Sequence, residues 1–404
     1  MRYICRTILV TIVVSLIAVA PSRAAAPVKV GALLGVTGLL ADFVPPMLDS
    51  MRLAIRQINE QGGVLDGRTL ELVIADSMAT SGGAVAAANR LVEEEKVVAV
   101  LGALSSAATM ASATAVTIPN RVVMISPTAT APELTSLVDD DYVFRVLPGI
   151  DSQGKTLARI VYSQDIASVA VTYVNNDYGV GIADGFRQGF EALGGEITGI
   201  LAHEERRDSY RAPLAALGGK GSGSLVVIAR AGSSGIAIIR SALENGTFKR
   251  FIGTDGLLDD RLPDQIDPAD IGASFVAAPV RAAGGKSAAL FDQAYEKAYG
   301  STEDKFFIEH AYDAAFLIGL AIERAGSGDR TAIRDALREV ANPPGSKVLP
   351  GEWEKAKKLI AAGEDIDYEG AGGPVDFDEA GNVPGLTGRF VIENGAFVET
   401  GVFR

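Results

Sequence analysis

The chain has 404 residues, of which 48% are hydrophobic, and a formal net charge of −13 at pH 7. A single hydrophobic core stops growing at about 250–300 residues, so a chain of this length is expected to form two lobes. The acidic balance argues against nucleic acid or an anionic membrane surface as a partner.

The N-terminus has the pattern of an export signal, predicted at 1–24. Two arginines precede an apolar run at 8–20, which is too short for the ~20 residues of a membrane-spanning helix. Small-x-small sites follow, so the mature chain is expected to begin at Ala25 or Pro27, with a formal charge of roughly −16. The single cysteine, Cys5, lies inside this segment. We therefore expect an exported, soluble product without a thiol.

Short apolar runs alternate with amphipathic segments from residue 28 onward. Met47, Met51, Ile55 and Ile58 recur at helical spacing after the first of these runs. A repeated strand-helix pattern implies a parallel, doubly wound sheet. The strands predicted in this part are 28–34, 70–74, 97–101 and 122–125, and the helices are 46–61 and 84–95.

The pattern restarts after an extended stretch at 143–148, which indicates a second lobe. Two further stretches, 275–284 and 373–378, are predicted crossings between the lobes, so both lobes are expected to be discontinuous in sequence. An extra surface helix is predicted within 349–372, around Trp353. The other strands predicted beyond residue 148 are 168–173, 197–201, 224–228 and 250–253, and the helices are 152–164, 181–193, 235–245, 288–299 and 309–325.

Polar loops follow two neighbouring predicted strands. The first loop, 102–106, ends in two adjacent serines, and the second, 126–134, reads SPTATAPEL. In an open α/β sheet, ligands bind in the crevice outside the carboxyl ends of the strands. Together these loops resemble the first lobe of the periplasmic leucine/isoleucine/valine-binding proteins, the amino-acid receptors of ABC importers. The resemblance covers nearly the whole mature chain.

The resemblance implies an α/β fold of two doubly wound, Rossmann-like lobes joined by a three-strand hinge, a type I periplasmic binding protein that closes on its ligand. It also implies a periplasmic monomer with two partners: an amino acid or close analogue, and the membrane permease of an ABC importer. The expected boundaries are 1–24 for the signal peptide, 25–147 and 280–372 for lobe one, and 148–279 and 373–404 for lobe two.

The resemblance assigns the polar loops to the charged groups of an amino acid. Ser106 and Thr130 would hold the carboxylate through hydroxyl and amide, while the carbonyl of Thr128 and the hydroxyl of Thr130 would meet the ammonium. Ser105 could exchange with Ser106, because the segment before Pro127 is one residue longer than the family pattern. The alternative is that these residues merely cap helices, as Ser and Thr often do.

Four further ligand residues are implied by the resemblance. Asp255 follows strand 250–253, where the family carries an acid that pairs with the ammonium; the alternative is an ordinary turn aspartate. Phe43 and Tyr178 align with rings that cover the ligand from lobe one and lobe two, and Phe307 is a candidate for the pocket wall. The alternative for each aromatic residue is a core or surface position.

The chain departs from the family pattern after strand 224–228. Branched-chain receptors place a tyrosine near the ligand where this chain has Ala231, which weakens an assignment to leucine, isoleucine or valine. The adjacent Arg230 could face the cleft and favour a second carboxylate or another polar group on the ligand. The alternative is a solvated arginine at a strand end.

Catalysis and cofactors have little support. The two histidines, His203 and His310, do not lie beside a nucleophile motif, and no metal or phosphate-binding motif has the required spacing. We expect no enzyme activity, no metal, no cofactor and no nucleic-acid partner. The expected function is a periplasmic substrate-binding protein of an ABC importer of the branched-chain/hydrophobic amino acid class. The alternatives are a ligand-sensing periplasmic protein and a transport receptor for an amide, a urea-like compound or an aromatic acid.

Overall fold

The computed structural model describes residues 26–403, apart from 39, 208, 220, 281–284 and 304. The predicted export signal, with Cys5, lies outside these residues. Residues 281–284 of the predicted crossing 275–284 also lie outside them. None of the helices in the described ranges is long and apolar enough to cross a bilayer.

Strands and helices alternate along most of the described chain. The strands are β1 (Val28–Leu34), β2 (Leu70–Asp76), β3 (Ala99–Gly102), β4 (Val123–Ser126), β5 (Val143–Arg145), β6 (Ser168–Val174), β7 (Glu196–His203), β8 (Ser224–Ile228), β9 (Arg250–Gly253), β10 (Phe275–Pro279), β11 (Ser346–Val348), β12 (Ile366–Tyr368), β13 (Thr387–Glu393) and β14 (Ala396–Phe403). The helices are α1 (Val44–Glu60), α2 (Ser81–Asn89), α3 (Ser106–Ser112), α4 (Ile150–Ser163), α5 (Asp177–Ala192), α6 (Arg211–Gly218), α7 (Ile236–Asn245), α8 (Arg261–Gln265), α9 (Lys286–Tyr299), α10 (Ile308–Ala325), α11 (Arg330–Ala341) and α12 (Trp353–Ala361).

Two sheets have the same doubly wound strand order. The first sheet is parallel and runs β2-β1-β3-β4-β5. The second repeats this order in its parallel part, β7-β6-β8-β9-β10, and continues into the antiparallel strands β13 and β14. The order therefore reverses between β1 and β3 and again between β6 and β8. Ligand crevices form outside the carboxyl ends of strands at such reversals.

The helices after β10 return to the first sheet. Phe291 of α9, Phe316 of α10 and Trp353 of α12 share one buried core with Val30 of β1. We call this core and the first sheet the first lobe, and the second sheet with α4–α8 the second lobe. The predicted α/β fold with parallel sheets is confirmed.

The third crossing, predicted at 373–378 after the first at 143–148 and the second at 275–284, differs from its prediction. Residues 373–378 do not form a strand, apart from an isolated bridge between Glu369 and Pro374. Pro374 has no N–H to donate to a ladder, which explains why pairing stops there. Phe377 and Val383 are buried in the core of the first lobe, and β13 belongs to the second sheet. The chain therefore changes lobes between Val383 and Thr387, later than the boundary predicted at 373.

The extra helix predicted around Trp353 is present as α12, but it is more deeply buried than the predicted surface helix. Trp353 is fully buried, and its Nε1 donates to the carbonyl of Gly63 at 3.2 Å. Its ring packs edge-on against Phe316. Strand β11 precedes α12 and β12 follows it, and the two strands pair in a small parallel sheet. The segment thus extends the core of the first lobe over the end of α1.

Candidate functional site

The two predicted polar loops of the first lobe are bonded to each other. The Ser106 hydroxyl oxygen accepts from the backbone N–H groups of Thr130 and Ala131, both at 3.2 Å. The Thr128 hydroxyl donates to the Leu104 carbonyl at 2.6 Å. Because the Ser106 oxygen already accepts two hydrogen bonds, its own O–H is the group left to donate. The Thr130 amide is engaged by Ser106, so it differs from the free donor that the sequence predicts.

The two adjacent serines have different roles. The Ser105 hydroxyl accepts from the N–H of Ala108 at 3.2 Å, which makes Ser105 the N-cap of α3. The capping interpretation therefore applies to Ser105, whereas Ser106 links the loops.

An apolar wall lies beside these hydroxyls. Phe43 is 38% exposed, and the neighbouring Phe306, which no sequence pattern indicates, is 60% exposed and meets it edge-on at 6.3 Å between ring centroids. Phe307 has φ of 63°, a left-handed conformation that is strained for a bulky residue and is concentrated at ligand sites. A cavity of about 300 Å³ is lined by Leu40, Phe43, Met47, Leu104, Ser105, Ser106, Thr128 and Phe307.

A second polar cluster lies in the second lobe. The Tyr178 hydroxyl donates to Oδ1 of Asp255 at 2.6 Å and lies 2.8 Å from the Thr254 hydroxyl. Gln153, which no sequence pattern singled out, donates from Nε2 to the same Asp255 oxygen at 2.9 Å. Burial and then the nearby Asp255 charge raise the pKa of Tyr178, so this hydroxyl stays protonated and keeps donating. Tyr178 is therefore tied to the acid, in addition to any covering role.

Arg230 lies at the carboxyl end of β8, beside the strand-order reversal of the second sheet. Its side chain is exposed and forms no hydrogen bond or ion pair with the residues that the structure describes. A Cβ added to Gly256 would lie 2.5 Å from the Ala229 carbonyl oxygen, so only glycine lets the Asp255 turn pack this closely on the end of β8. Arg230 and Asp255 thus belong to neighbouring loops.

A larger groove joins the two lobes. It has a volume of about 730 Å³ and is bordered by the loop after β4 and by α4 and α5. Ser106 and Thr130 line it from the first lobe, and Asp177 lines it from the second. The predicted residues therefore form two groups: Phe43, Ser105, Ser106, Thr128, Thr130 and Phe307 in the first lobe, and Tyr178, Arg230 and Asp255 in the second.

A buried arginine connects the loop after β4, called the ligand loop below, to the segment that precedes the third crossing. Arg145 is 1% exposed, and its Nε and Nη2 donate to Oδ1 of Asn382 at 2.8 and 2.5 Å. Nη1 donates to the Ala131 carbonyl at 2.9 Å, and Nη2 also donates to the Thr135 hydroxyl at 2.7 Å. Burial lowers the pKa of this guanidinium, an effect that nearby carboxylates oppose. One side chain thus connects the loop after β4 with Asn382, directly before the third crossing.

His203, the last residue of β7, is hydrogen-bonded to the loop after β8. Its Nδ1 lies 2.9 Å from the Thr172 hydroxyl, and its Nε2 lies 3.0 Å from the Ser234 hydroxyl. The Thr172 hydroxyl donates to the Leu201 carbonyl at 3.1 Å, so Nδ1 carries the proton and Nε2 accepts from Ser234. Burial lowers the pKa of His203 to about 4, which keeps the ring neutral.

This burial predicts a pH dependence of stability. The unfolded chain protonates His203 near pH 6.5, while the folded chain resists protonation until about pH 4. The unfolded state binds more protons in this window, so the contribution of His203 is present above pH 6.5 and is lost as the pH falls toward 4. Urea unfolding at pH 7 and pH 4.5 should show a smaller pH-dependent loss for His203→Gln than for the wild type. Equal losses in both proteins would contradict the assignment.

Comparisons with known proteins agree with the fold. A family model described as "Periplasmic binding protein" matches residues 27–391. The chain is 29% identical to the leucine-, isoleucine-, valine-, threonine- and alanine-binding protein of Pseudomonas aeruginosa, over 78% of this chain and 83% of that protein. It is 26% identical to a chemotactic signal transduction system substrate-binding protein of Halobacterium salinarum, over 88% of this chain and 84% of that protein.

A solved structure shares the architecture. The crystal structure of a putative branched-chain amino acid ABC transporter from Rhodospirillum rubrum superposes with a TM-score of 0.72. The match covers 93% of this chain and all of that chain, at 23% identity. At this identity the similarity demonstrates the two-lobed fold.

Proposed function

Since the chain belongs to the periplasmic binding protein family, we propose that it is the substrate-binding protein of an ABC importer of the branched-chain/hydrophobic amino acid class. It captures an amino acid or close analogue between its lobes. The observation that carries this proposal is the pair of hydroxyl-linked loops at the ends of β3 and β4, beside an apolar wall.

The chemistry of an amino acid matches these groups. Its carboxylate needs donors, which the hydroxyls of Ser106 and Thr130 supply, and its ammonium needs an acceptor, which the Asp255 carboxylate supplies. An apolar side chain fits against Phe43 and Phe307. Burial of either ligand charge without such partners would cost several kcal/mol, so polar groups and the apolar wall are both required.

The proposed setting follows the sequence. An export signal at 1–24 is removed, the mature protein works in the periplasm as a monomer, and it delivers ligand to a membrane permease. The described chain shows no group of three or more His, Cys, Asp or Glu side chains that could hold a metal. We propose a binding role without catalysis, in keeping with a family of binding proteins.

A thermal-shift screen tests this function. Ligands that bind the folded state raise the melting temperature, and the rise grows with the ratio of ligand concentration to Kd. The panel should contain the branched-chain, polar and acidic amino acids, their deaminated analogues, amides, urea and benzoate. We expect an α-amino acid to give the largest shift. A shift with benzoate or urea and none with any amino acid would contradict the proposed ligand class.

The two adjacent serines provide a matched pair of variants. Ser106→Ala leaves two backbone N–H groups without their acceptor and removes a donor to the ligand, so we expect affinity to fall by about 1–3 kcal/mol. Ser105→Ala removes the N-cap of α3 and should cost about 1 kcal/mol of stability, with a smaller loss of affinity than Ser106→Ala. Calorimetry and urea unfolding of both variants separate these effects. Equal affinities for the two variants would remove Ser106 from the site.

Sensing is a second candidate, favoured by the name of the Halobacterium salinarum relative. A transport protein and a sensor can bind the same ligand, so binding data do not separate them. The two roles are separated by deleting the gene and then measuring both the uptake of the labelled ligand and chemotaxis toward it. Loss of uptake supports transport, and loss of chemotaxis with normal uptake supports sensing.

A further inference from the structure

The first turn of α4 contacts both lobes. The N–H of Ile150 donates to the carbonyl of Thr130 at 3.0 Å, in the loop that also contacts Ser106. The Ser152 hydroxyl donates to the Pro384 carbonyl at 3.4 Å, in the third crossing. This turn begins directly after the first crossing, so it lies between the ligand loop of the first lobe and the body of the second.

The same turn reaches the acid of the second lobe through Gln153. Gln153 Nε2 donates to Oδ1 of Asp255 at 2.9 Å, and Tyr178 donates to the same oxygen from α5 at 2.6 Å. The side chain of Gln153 must present its NH₂ group here, because a carboxylate oxygen only accepts. Oδ2 of Asp255 accepts no hydrogen bond from the part of the chain that the structure describes.

Two donors on one oxygen fix the plane of this carboxylate. The terminal torsion of an aspartate is broad and roughly two-fold, so a single donor leaves the group free to pivot about that bond. Donors from two different helices, α4 and α5, restrict the pivot and turn the other oxygen away from both. Oδ2 is therefore the oxygen that is presented for a further donor.

We propose that Gln153 is a positioning residue of the ligand site: it holds Oδ1 of Asp255 so that Oδ2 meets the ammonium of an α-amino acid. The proposal rests on the proposed function. In the same turn, the N–H of Ile150 donates to the Thr130 carbonyl. One helical turn therefore supports both the acid of the second lobe and the loop after β4 in the first. A ligand without an ammonium makes no use of Oδ2 and should be indifferent to Gln153.

The test uses L-leucine and 4-methylpentanoate, which lacks the ammonium. Gln153→Met keeps the length of the side chain but removes the donor, and Gln164→Met at the other end of α4 is the matched control. We expect Gln153→Met to weaken leucine binding about tenfold, as for a lost charge-assisted hydrogen bond, and to change 4-methylpentanoate binding less than twofold. The control should bind both ligands as the wild type does. Equal losses for the two ligands would overturn the proposal.

A double-mutant cycle shows whether Gln153 acts through Asp255. In an Asp255→Asn background, Gln153→Met should cause little further loss of leucine affinity, because there is no charge left to position. A full additional tenfold loss would overturn the positioning role.

The cycle is also run on unfolding in urea, without ligand, and there Asp255→Ala replaces Asp255→Asn, because an asparagine oxygen could still accept from Gln153. The loss for the double variant should be smaller than the sum of the two single losses, since the pair is in contact. Additive losses would contradict the contact itself. If the wild type binds no α-amino acid, the proposed function fails, while this cycle still decides whether Gln153 holds Asp255.

Discussion

Replacing Asp255 by asparagine is expected to lower the affinity for the tightest-binding α-amino acid by at least about 30-fold, or roughly 2 kcal/mol. Asparagine has nearly the same shape, and its oxygen can still accept from Tyr178 and Gln153. The variant therefore removes the charge that faces the ligand ammonium and keeps the local packing. Calorimetry at one pH and ionic strength measures the change.

The deaminated analogue of that amino acid serves as the control ligand. Its affinity should change less than about threefold, because it carries no ammonium to pair with Asp255. Similar losses for both ligands would mean that Asp255 supports the turn after β9 and does not contact the ammonium. A urea unfolding curve of the variant checks that stability is retained.

Removing the buried arginine is expected to have the largest effect on stability. Arg145→Met leaves the buried Oδ1 of Asn382 and two half-buried acceptors, the Ala131 carbonyl and the Thr135 hydroxyl, without their donor. An unpaired buried group costs about 1–3 kcal/mol, and a half-buried one costs less. We expect the free energy of unfolding to fall by about 3 kcal/mol or more. Arg145→Lys should recover part of this loss, because one ammonium cannot reproduce the planar fork.

Arg159→Met is the matched control for this loss. Arg159 is exposed on α4 and donates to the Thr156 hydroxyl at 2.9 Å, so its removal should lower stability by about 1 kcal/mol or less. Ligand affinity should also fall in Arg145→Met, since the Ala131 carbonyl belongs to the ligand loop. A loss at Arg145 no larger than that at Arg159 would show that the network does not stabilise the fold.

Much of the parallel framework could be predicted from short apolar runs. The predicted strands 28–34, 224–228 and 250–253 match β1, β8 and β9 residue for residue. These strands are buried on both faces, so nearly every position is apolar and the boundaries are sharp. The observed helix boundaries differ from the predicted ones by a few residues, because capping residues and turns determine where a helix ends.

Two elements that the sequence analysis does not predict, β14 and α11, differ in the strength of their sequence patterns. Strand β14 is mostly exposed, and of its large apolar residues Phe397 and Phe403 pack partly buried against the cores of the second lobe, while Val398 and Val402 are exposed. Helix α11 did leave a signal: Asp329 caps it, and Ile333, Leu337 and Val340 recur at helical spacing. That helix could have been found from the sequence.

The candidate site was predictable only as separate loops. Asp255 and Tyr178 could be proposed from their places after strands, but Gln153 lies in a helix and is 102 residues from its partner. No local pattern records such a contact. The sequence likewise places Arg145 only in an extended crossing, because the acceptors around it come from distant segments that the fold brings together.

The burial of the single tryptophan determines what fluorescence can report. Trp353 is enclosed in the core of the first lobe, against Phe316 and the Gly63 carbonyl, and it does not line the cavity or the groove that the ligand candidates of the first lobe line. Its emission should therefore respond weakly to ligand and strongly to denaturant. Far-ultraviolet circular dichroism, by contrast, averages over the helices of both lobes. If the lobes unfold independently, the emission curve will follow the first lobe alone, and the two spectroscopic midpoints will separate.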